Sequence, residues 1–150
     1  MKKMVFVFCF TFLLIFTSFS QETLNDNDWE NKRIYTHTWV GYGSGFSFGV
    51  GADAQLFEYF SLGLESGLVG ENDPAISIFP KFTFRPWNME ISAYAGVSFG
   101  YSTTYDFIWG IPYGLDVGYN IGSGILFVTL RSGMGWAVGI GYRMGFLARN

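Results

Sequence analysis

The sequence predicts an all-β fold, an eight-stranded antiparallel up-and-down transmembrane β-barrel. Three observations carry that expectation. From Phe46 to Phe146, large apolar side chains alternate with small or charged ones, the period-two signature of a strand with two unlike faces. Turn-forming clusters of Gly, Ser, Asn, Asp and Pro punctuate the alternation at short intervals. When residues are sorted by parity, nearly all strand charges fall on one face, and aromatics gather at the strand ends.

The chain divides into three parts. Met1 to Lys3 is a short basic start, followed by an apolar run from Met4 to Phe16 and small residues at Ser18 and Ser20. That order is a secretory signal peptide over 1–20, and the run is shorter than the roughly 20 residues a spanning helix needs. Cys9, the single cysteine, lies inside it, so the exported chain is expected to hold no thiol or disulfide. Residues 21–32, centred on Asn25-Asp26-Asn27-Asp28, read as a solvated acidic lead-in. The barrel domain is placed at 33–150. Removing Lys2 and Lys3 moves the formal charge from −3 to −5, which argues against nucleic acid as a partner.

Eight strands follow in order. The first runs from Arg33 to Tyr42, the second from Phe46 to Leu56 after the Gly43-Ser44-Gly45 turn, and the third from Ser61 to Gly70. Glu71-Asn72-Asp73-Pro74 turns the chain into the fourth, Ala75 to Arg85. Pro86-Trp87-Asn88 leads to the fifth, Met89 to Tyr101. A longer link, Ser102 to Phe107, precedes the sixth, Ile108 to Tyr119. The seventh spans Gly124 to Arg131 and the eighth Trp136 to Ala148. Most of these lengths are near the roughly 9–11 residues with which a tilted strand crosses a bilayer. Every link is short enough for a hairpin, so neighbours in sequence are neighbours in the sheet.

The two faces decide which side meets lipid. One carries residues such as Leu62, Leu64, Ile76, Ile78, Phe82, Val97, Leu115, Val128 and Ile140. The other carries Asp53, Glu65, Lys81, Arg85, Glu90, Asp116, Arg131 and Arg143 among Gly, Ser and Thr. A water-facing exterior would be rich in Lys, Glu and Thr. A narrow interior needs small residues, and its charges must be paired because unpaired burial is costly. Four acids against four bases fit a lumen charge network, and the apolar set is then the lipid face. Trp39, Tyr42, Tyr101, Tyr105, Trp109 and Trp136 cluster near one set of strand ends, with Phe107 in the link beside them. Phe57, Tyr59, Phe60, Trp87, Tyr119 and Phe146 cluster near the other. Two aromatic girdles around an apolar band belong to a membrane barrel. Tyr105, Asp106, Phe107 and Trp109 also form the best outer-link contact patch.

With these features the segment from Arg33 to Phe146 resembles the small eight-stranded outer-membrane barrels of diderm bacteria, the OmpA-transmembrane, OmpX and OmpW-like group. The last strand, Gly139-Ile140-Gly141-Tyr142-Arg143-Met144-Gly145-Phe146, adds to the likeness. The resemblance implies a bacterial outer-membrane location after export, contact with outer-membrane lipid, and delivery to the barrel-assembly machinery through that strand. Tyr142 and Phe146 are the expected assembly signal, displaced by Leu147-Ala148-Arg149-Asn150 behind Phe146. It implies a monomer.

The residues bear on three function classes. A lipid-modifying barrel enzyme would need a nucleophile or base at the rim. His37, the single histidine, is flanked only by Thr36 and Thr38, with Ser44 beyond the turn, so no catalytic residue is assigned. The same histidine has no Cys or second His as a metal partner, and Glu71-Asn72-Asp73 is too short for a calcium loop, so no metal or cofactor is expected. A narrow channel or lateral route for small apolar molecules, as in OmpW-like proteins, is the alternative reading. The favoured one is a non-enzymatic structural or surface module with a salt-bridged lumen.

Overall fold

The computed structural model describes residues 32–69, 73–102, 106–122, 124–133 and 135–147. The signal peptide and nearly all of the acidic lead-in lie outside the described residues, as do Tyr105 and most of the 71–73 turn. Among the described residues ten strands are formed: β1 (Lys32–Gly43), β2 (Phe46–Phe57), β3 (Phe60–Val69), β4 (Asp73–Phe84), β5 (Met89–Ala95), β6 (Val97–Ser102), β7 (Asp106–Gly110), β8 (Tyr113–Asn120), β9 (Ile125–Ser132) and β10 (Ala137–Leu147).

These ten make eight staves. Strands β5 and β6 are two halves of one stave, and β7 and β8 two halves of the next. The register is unchanged across the first break, with Lys81 opposite Tyr94 below it and Ile78 opposite Val97 above it. The break falls at Gly96, between Phe79-Pro80 of β4 and Ile111-Pro112 of the neighbouring stave. Neither proline has an N–H to give to a ladder, so regular pairing lapses there. One bond remains, from Gly96 N–H to the Pro112 carbonyl at 2.8 Å. The fifth and sixth strands expected from the sequence are therefore each interrupted. The sixth also begins earlier than Ile108, at Asp106.

Every pairing is antiparallel, and the sheet closes. Its order runs β3-β2-β1-β10-β9-β8-β5-β4, and β4 pairs back onto β3. The closing seam joins the first and last strands, with Trp39 opposite Gly141 and Val40 opposite Ile140. Closure removes the free strand edges that a bilayer cannot hydrogen-bond. The lower end of the barrel is the one where β1 starts and β10 finishes. Tight turns at Glu58-Tyr59 and Pro86–Asn88 lie on the same rim.

The burial pattern follows parity strand by strand. In β4 it alternates exposed and buried from Pro74 to Phe84, and β9 alternates from Ile125 to Arg131. The outward set is apolar and open, as with Leu64 (51% exposed) and Val97 (41%). The inward set is polar, small or aromatic. Large inward side chains lie over glycines of neighbouring strands: a Cβ on Gly63 would meet Phe79 at 2.3 Å, and one on Gly141 would meet Phe127 at 2.3 Å. Glycine at those positions makes room for the ring, which in turn covers the bare backbone.

The charged lumen as candidate functional site

The lumen is where chemistry-bearing side chains converge. Each is aimed inward by strand parity, and register sets its height along the barrel axis. Arg143 lies opposite His37 across the closing seam, while Glu65 lies opposite Ser77 and Asp116 opposite Thr129.

A lower cluster joins Asp53, Lys81, Arg85, Glu90, Asp116 and Arg143. Lys81 Nζ donates to Asp53 Oδ2 at 2.8 Å and lies 3.9 Å from Asp116 Oδ2. The Arg143 guanidinium donates to Asp116 Oδ2 at 2.9 Å, also pairs with Glu90, and brings Nε to 3.7 Å from Asp53 Oδ2. Arg85 Nε donates to the same Glu90 carboxylate at 2.9 Å and is the one partly exposed member, at the lower mouth. An upper pair, Arg131 and Glu65, is held by a direct charge-assisted hydrogen bond. Thr129 links it to the lower cluster by accepting from Arg131 Nε at 3.0 Å and donating to Asp116 at 2.6 Å.

Aromatic faces complete the cation sites. The Arg131 guanidinium lies 4.2 Å from the Trp39 ring centroid, and that of Arg143 lies 5.0 Å from Phe127. Lys81 sits 5.4 Å from the Phe79 ring. A cation over a π-face in a desolvated setting gains about 2 kcal/mol. The lumen thus offsets charge burial in two ways, by opposite charge and by quadrupole.

His37 links the two clusters. Its Nε2 is 2.9 Å from Glu65 Oε2, and its Nδ1 is 3.4 Å from Asp53 Oδ2. The ring is 1% exposed. Gly51 faces it, where a Cβ would meet Nε2 at 2.6 Å. The lumen charge network expected from the sequence does not include His37, whose parity on β1 is opposite to that of the apolar, outward-facing Ile34 and Val40.

The structure brings all eight charges of the expected network together and adds His37 as a ninth titratable member. The aromatic assignments need one correction. Trp39 does not belong to a girdle: it is 3% exposed and packs inside against Arg131. Its parity matches His37, so strand geometry sends both inward, while its neighbour Tyr42 faces out. Tyr101, Phe107, Trp109 and Trp136 are exposed on the upper exterior, and Phe99 stacks on Phe107 with centroids 6.3 Å apart. Tyr101 also donates to Asp106 at 3.0 Å. Tyr142 and Phe146 lie on β10, opposite Thr38 and Ile34 of β1, and both are half-buried. Among the described residues no group of three His, Cys, Asp or Glu side chains has metal-holding geometry.

No family model matches the chain, and no curated protein matches it. Solved structures do. The N-terminal β-barrel domain of OprF from Pseudomonas aeruginosa superposes with a TM-score of 0.66 at 13% identity, over 77% of this chain and 98% of that one. A de novo designed transmembrane β-barrel gives 0.60 at 18% identity, over 75% and 96%. The solution structure of another designed barrel gives 0.57 at 13% identity, over 78% and 96%. At such identities the likeness is one of fold. The chain has the architecture of a small transmembrane barrel of the bacterial outer-membrane type.

Proposed function

We propose that this protein is a non-enzymatic structural or surface module of the bacterial outer membrane, its lumen closed to ions by a salt-bridged plug. One observation carries the reading: four acids and four bases pair across the barrel centre, with Lys81 and Asp116 each 1% exposed. Such a network fills the interior of an eight-stranded barrel, whose lumen is only wide enough for side chains. The apolar outer band supports the membrane assignment, because water-soluble monomers rarely expose continuous apolar surface on this scale. In this reading the lower rim faces the periplasm and the upper links face outward, as export from the inside requires. Tyr142 and Phe146 on the last strand serve as the assembly signal, and the barrel works as a monomer in outer-membrane lipid.

Planar-bilayer recording tests the plug. The folded protein is expected to give no steady current. Glu90→Ala removes the carboxylate shared by Arg85 and Arg143, which takes from Arg85 its carboxylate partner at the lower mouth while Arg143 keeps Asp116. Breaking a buried pair from one side costs about 3–5 kcal/mol, and the variant is expected to flicker open. A steady wild-type current overturns the plug in favour of a pore.

A further inference from the structure

Strands β6 and β7 form a hairpin that outruns the staves on either side of it. On one side, β4 pairs with β6 only as far as Ala75 opposite Gly100. On the other, β9 ends at Ser132, opposite Tyr113 of β8. Tyr101 and Ser102 pair with Phe107 and Asp106 of β7, and β7 is the last strand of the sheet. Among the described residues it is bonded to β6 and to no other strand. Alternate residues of a strand turn their N–H and C=O to opposite sides, so one edge of Asp106–Gly110 lacks a ladder partner over about 17 Å. Hydrocarbon cannot hydrogen-bond such an edge, which places the hairpin above the lipid, in water.

Exposed edges are commonly guarded by Lys, Pro or a bulge. β7 has none of these: it reads Asp106-Phe107-Ile108-Trp109-Gly110 and pairs with β6 in unbroken register. Phe, Ile and Trp all favour strands. Phe107 and Trp109 are 65% and 67% exposed, opposite Tyr101 and Phe99 of β6, so an aromatic face adjoins the edge. Charge at this rim has one sign. The upper links hold Glu71, Asp73 and Asp106 and no Lys or Arg. Lys81, Arg131 and Arg143 are buried in the lumen, and Arg85 lies at the lower mouth.

We propose that β7 is a docking edge, onto which a partner protein adds an extended, cationic segment as a further strand. The inference deepens the surface-module reading and rests on its outward placement of the upper links. Backbone hydrogen bonds along the edge supply affinity, and alternate side chains of the guest supply selectivity. Apolar side chains of the guest lie beside Phe107 and Trp109, as in cross-strand pairs of aromatic and β-branched residues. Its Lys or Arg side chains meet the field of Asp106 and Asp73, which steers the encounter. A second copy of this chain is a poorer guest, because it brings acid against acid. So short a ladder makes a small contact, of the size of transient encounters.

The test uses the folded protein in lipid nanodiscs, with amide hydrogen exchange followed by NMR. Folding is verified first by the gel-mobility difference between heated and unheated samples. The probe is a capped peptide of alternating Lys and Val. Without it, the far-edge amides of β7 are expected to exchange fast; with it they should slow several-fold, while β9 amides keep their rates. A Lys-Pro peptide has the same charge but cannot pair as a strand, and should protect nothing. A Glu-Val peptide can pair but bears the opposite charge, and should bind several-fold more weakly. Asp106→Asn removes the charge at a positive φ of 58°, which Asn tolerates, and should weaken the Lys-Val peptide several-fold. No protection by the Lys-Val peptide, or equal protection by the Lys-Pro peptide, overturns the docking edge. Slow exchange along all of β7 in the free protein overturns it too, since the edge is then already covered. Equal binding of the Lys-Val and Glu-Val peptides, or of wild type and Asp106→Asn, overturns the cationic guest. The surface reading is tested apart: in a Cys9→Ser background, Ser44→Cys should react with a membrane-impermeant maleimide on intact cells. A folded Ser44→Cys variant that stays unlabelled overturns the outward placement, whatever the peptides do.

Discussion

A side chain in this barrel is sorted by size as well as by polarity. Trp39, Phe79, Tyr94 and Phe127 all face inward, where they supply π-faces to Arg131, Lys81 and Arg143. The outward face is apolar nearly throughout, which makes the lipid assignment testable one residue at a time. Leu64→Arg and Val97→Arg, both mid-stave and outward, should each cost about 2–4 kcal/mol of folding free energy, read from urea unfolding in bilayers. Variants that unfold at the wild-type urea midpoint would show that this face does not meet hydrocarbon. The charges of the lumen were legible in the sequence because they share a parity with Gly, Ser and Thr. Trp39 and His37 were not, since an aromatic near a strand end looks the same in a girdle as in an aromatic-lined interior. Only counting parity strictly along β1, from Tyr35 through His37, separates the two cases.

Among the elements, the split staves show how local chemistry interrupts a pattern without altering it. Alternation continues through Gly96 and through Ile111-Pro112, so a reading based on side-chain periodicity passes over both breaks. The missing proline N–H groups affect the ladder and leave the faces untouched. Gly96 is also a place where neighbouring strands come close: a Cβ there would lie 2.1 Å from the Ile78 carbonyl oxygen and 2.6 Å from Phe79 Cα. Backbone cannot give way as a flexible side chain can. Gly96→Ala should therefore cost about 1–3 kcal/mol, visible as a lower urea midpoint with the folded circular-dichroism spectrum retained. An unchanged midpoint would mean that β4 and its neighbour can part at no cost. Most of the links were readable, because Gly, Pro, Asn or Asp marks them, whereas Phe57-Glu58-Tyr59-Phe60 carries none. Their sharpness was less so: Trp87 takes a positive φ of 54° in the Pro86–Asn88 turn, a conformation that glycine ordinarily supplies.

For the whole molecule, closure is the property from which the others follow, and it depends on the seam between β1 and β10. Val40 and Ile140 face each other there on the outside. Facing residues of an antiparallel pair have Cα atoms about 4.5–5.5 Å apart, within the range of about 4.4–6.8 Å that a disulfide spans. In a Cys9→Ser background, Val40→Cys with Ile140→Cys should cross-link within single molecules on oxidation, seen as faster migration on a non-reducing denaturing gel. Cross-links only between molecules would indicate an open sheet. Strand number and closure were legible because eight alternating segments with short links leave little other topology, while β1 was the hardest to bound. The seam has one more consequence. At its lower end Lys32 stands opposite Leu147, so the chain is in effect a ring cut at a single point. Joining the cut with a short bridge and opening the ring between Ser44 and Gly45 would give a circular permutant with all the same ladders but β1 as its final strand. Shape and order of synthesis are then separable, and any signal read from the last strand belongs to chain order, not to the form of the finished barrel.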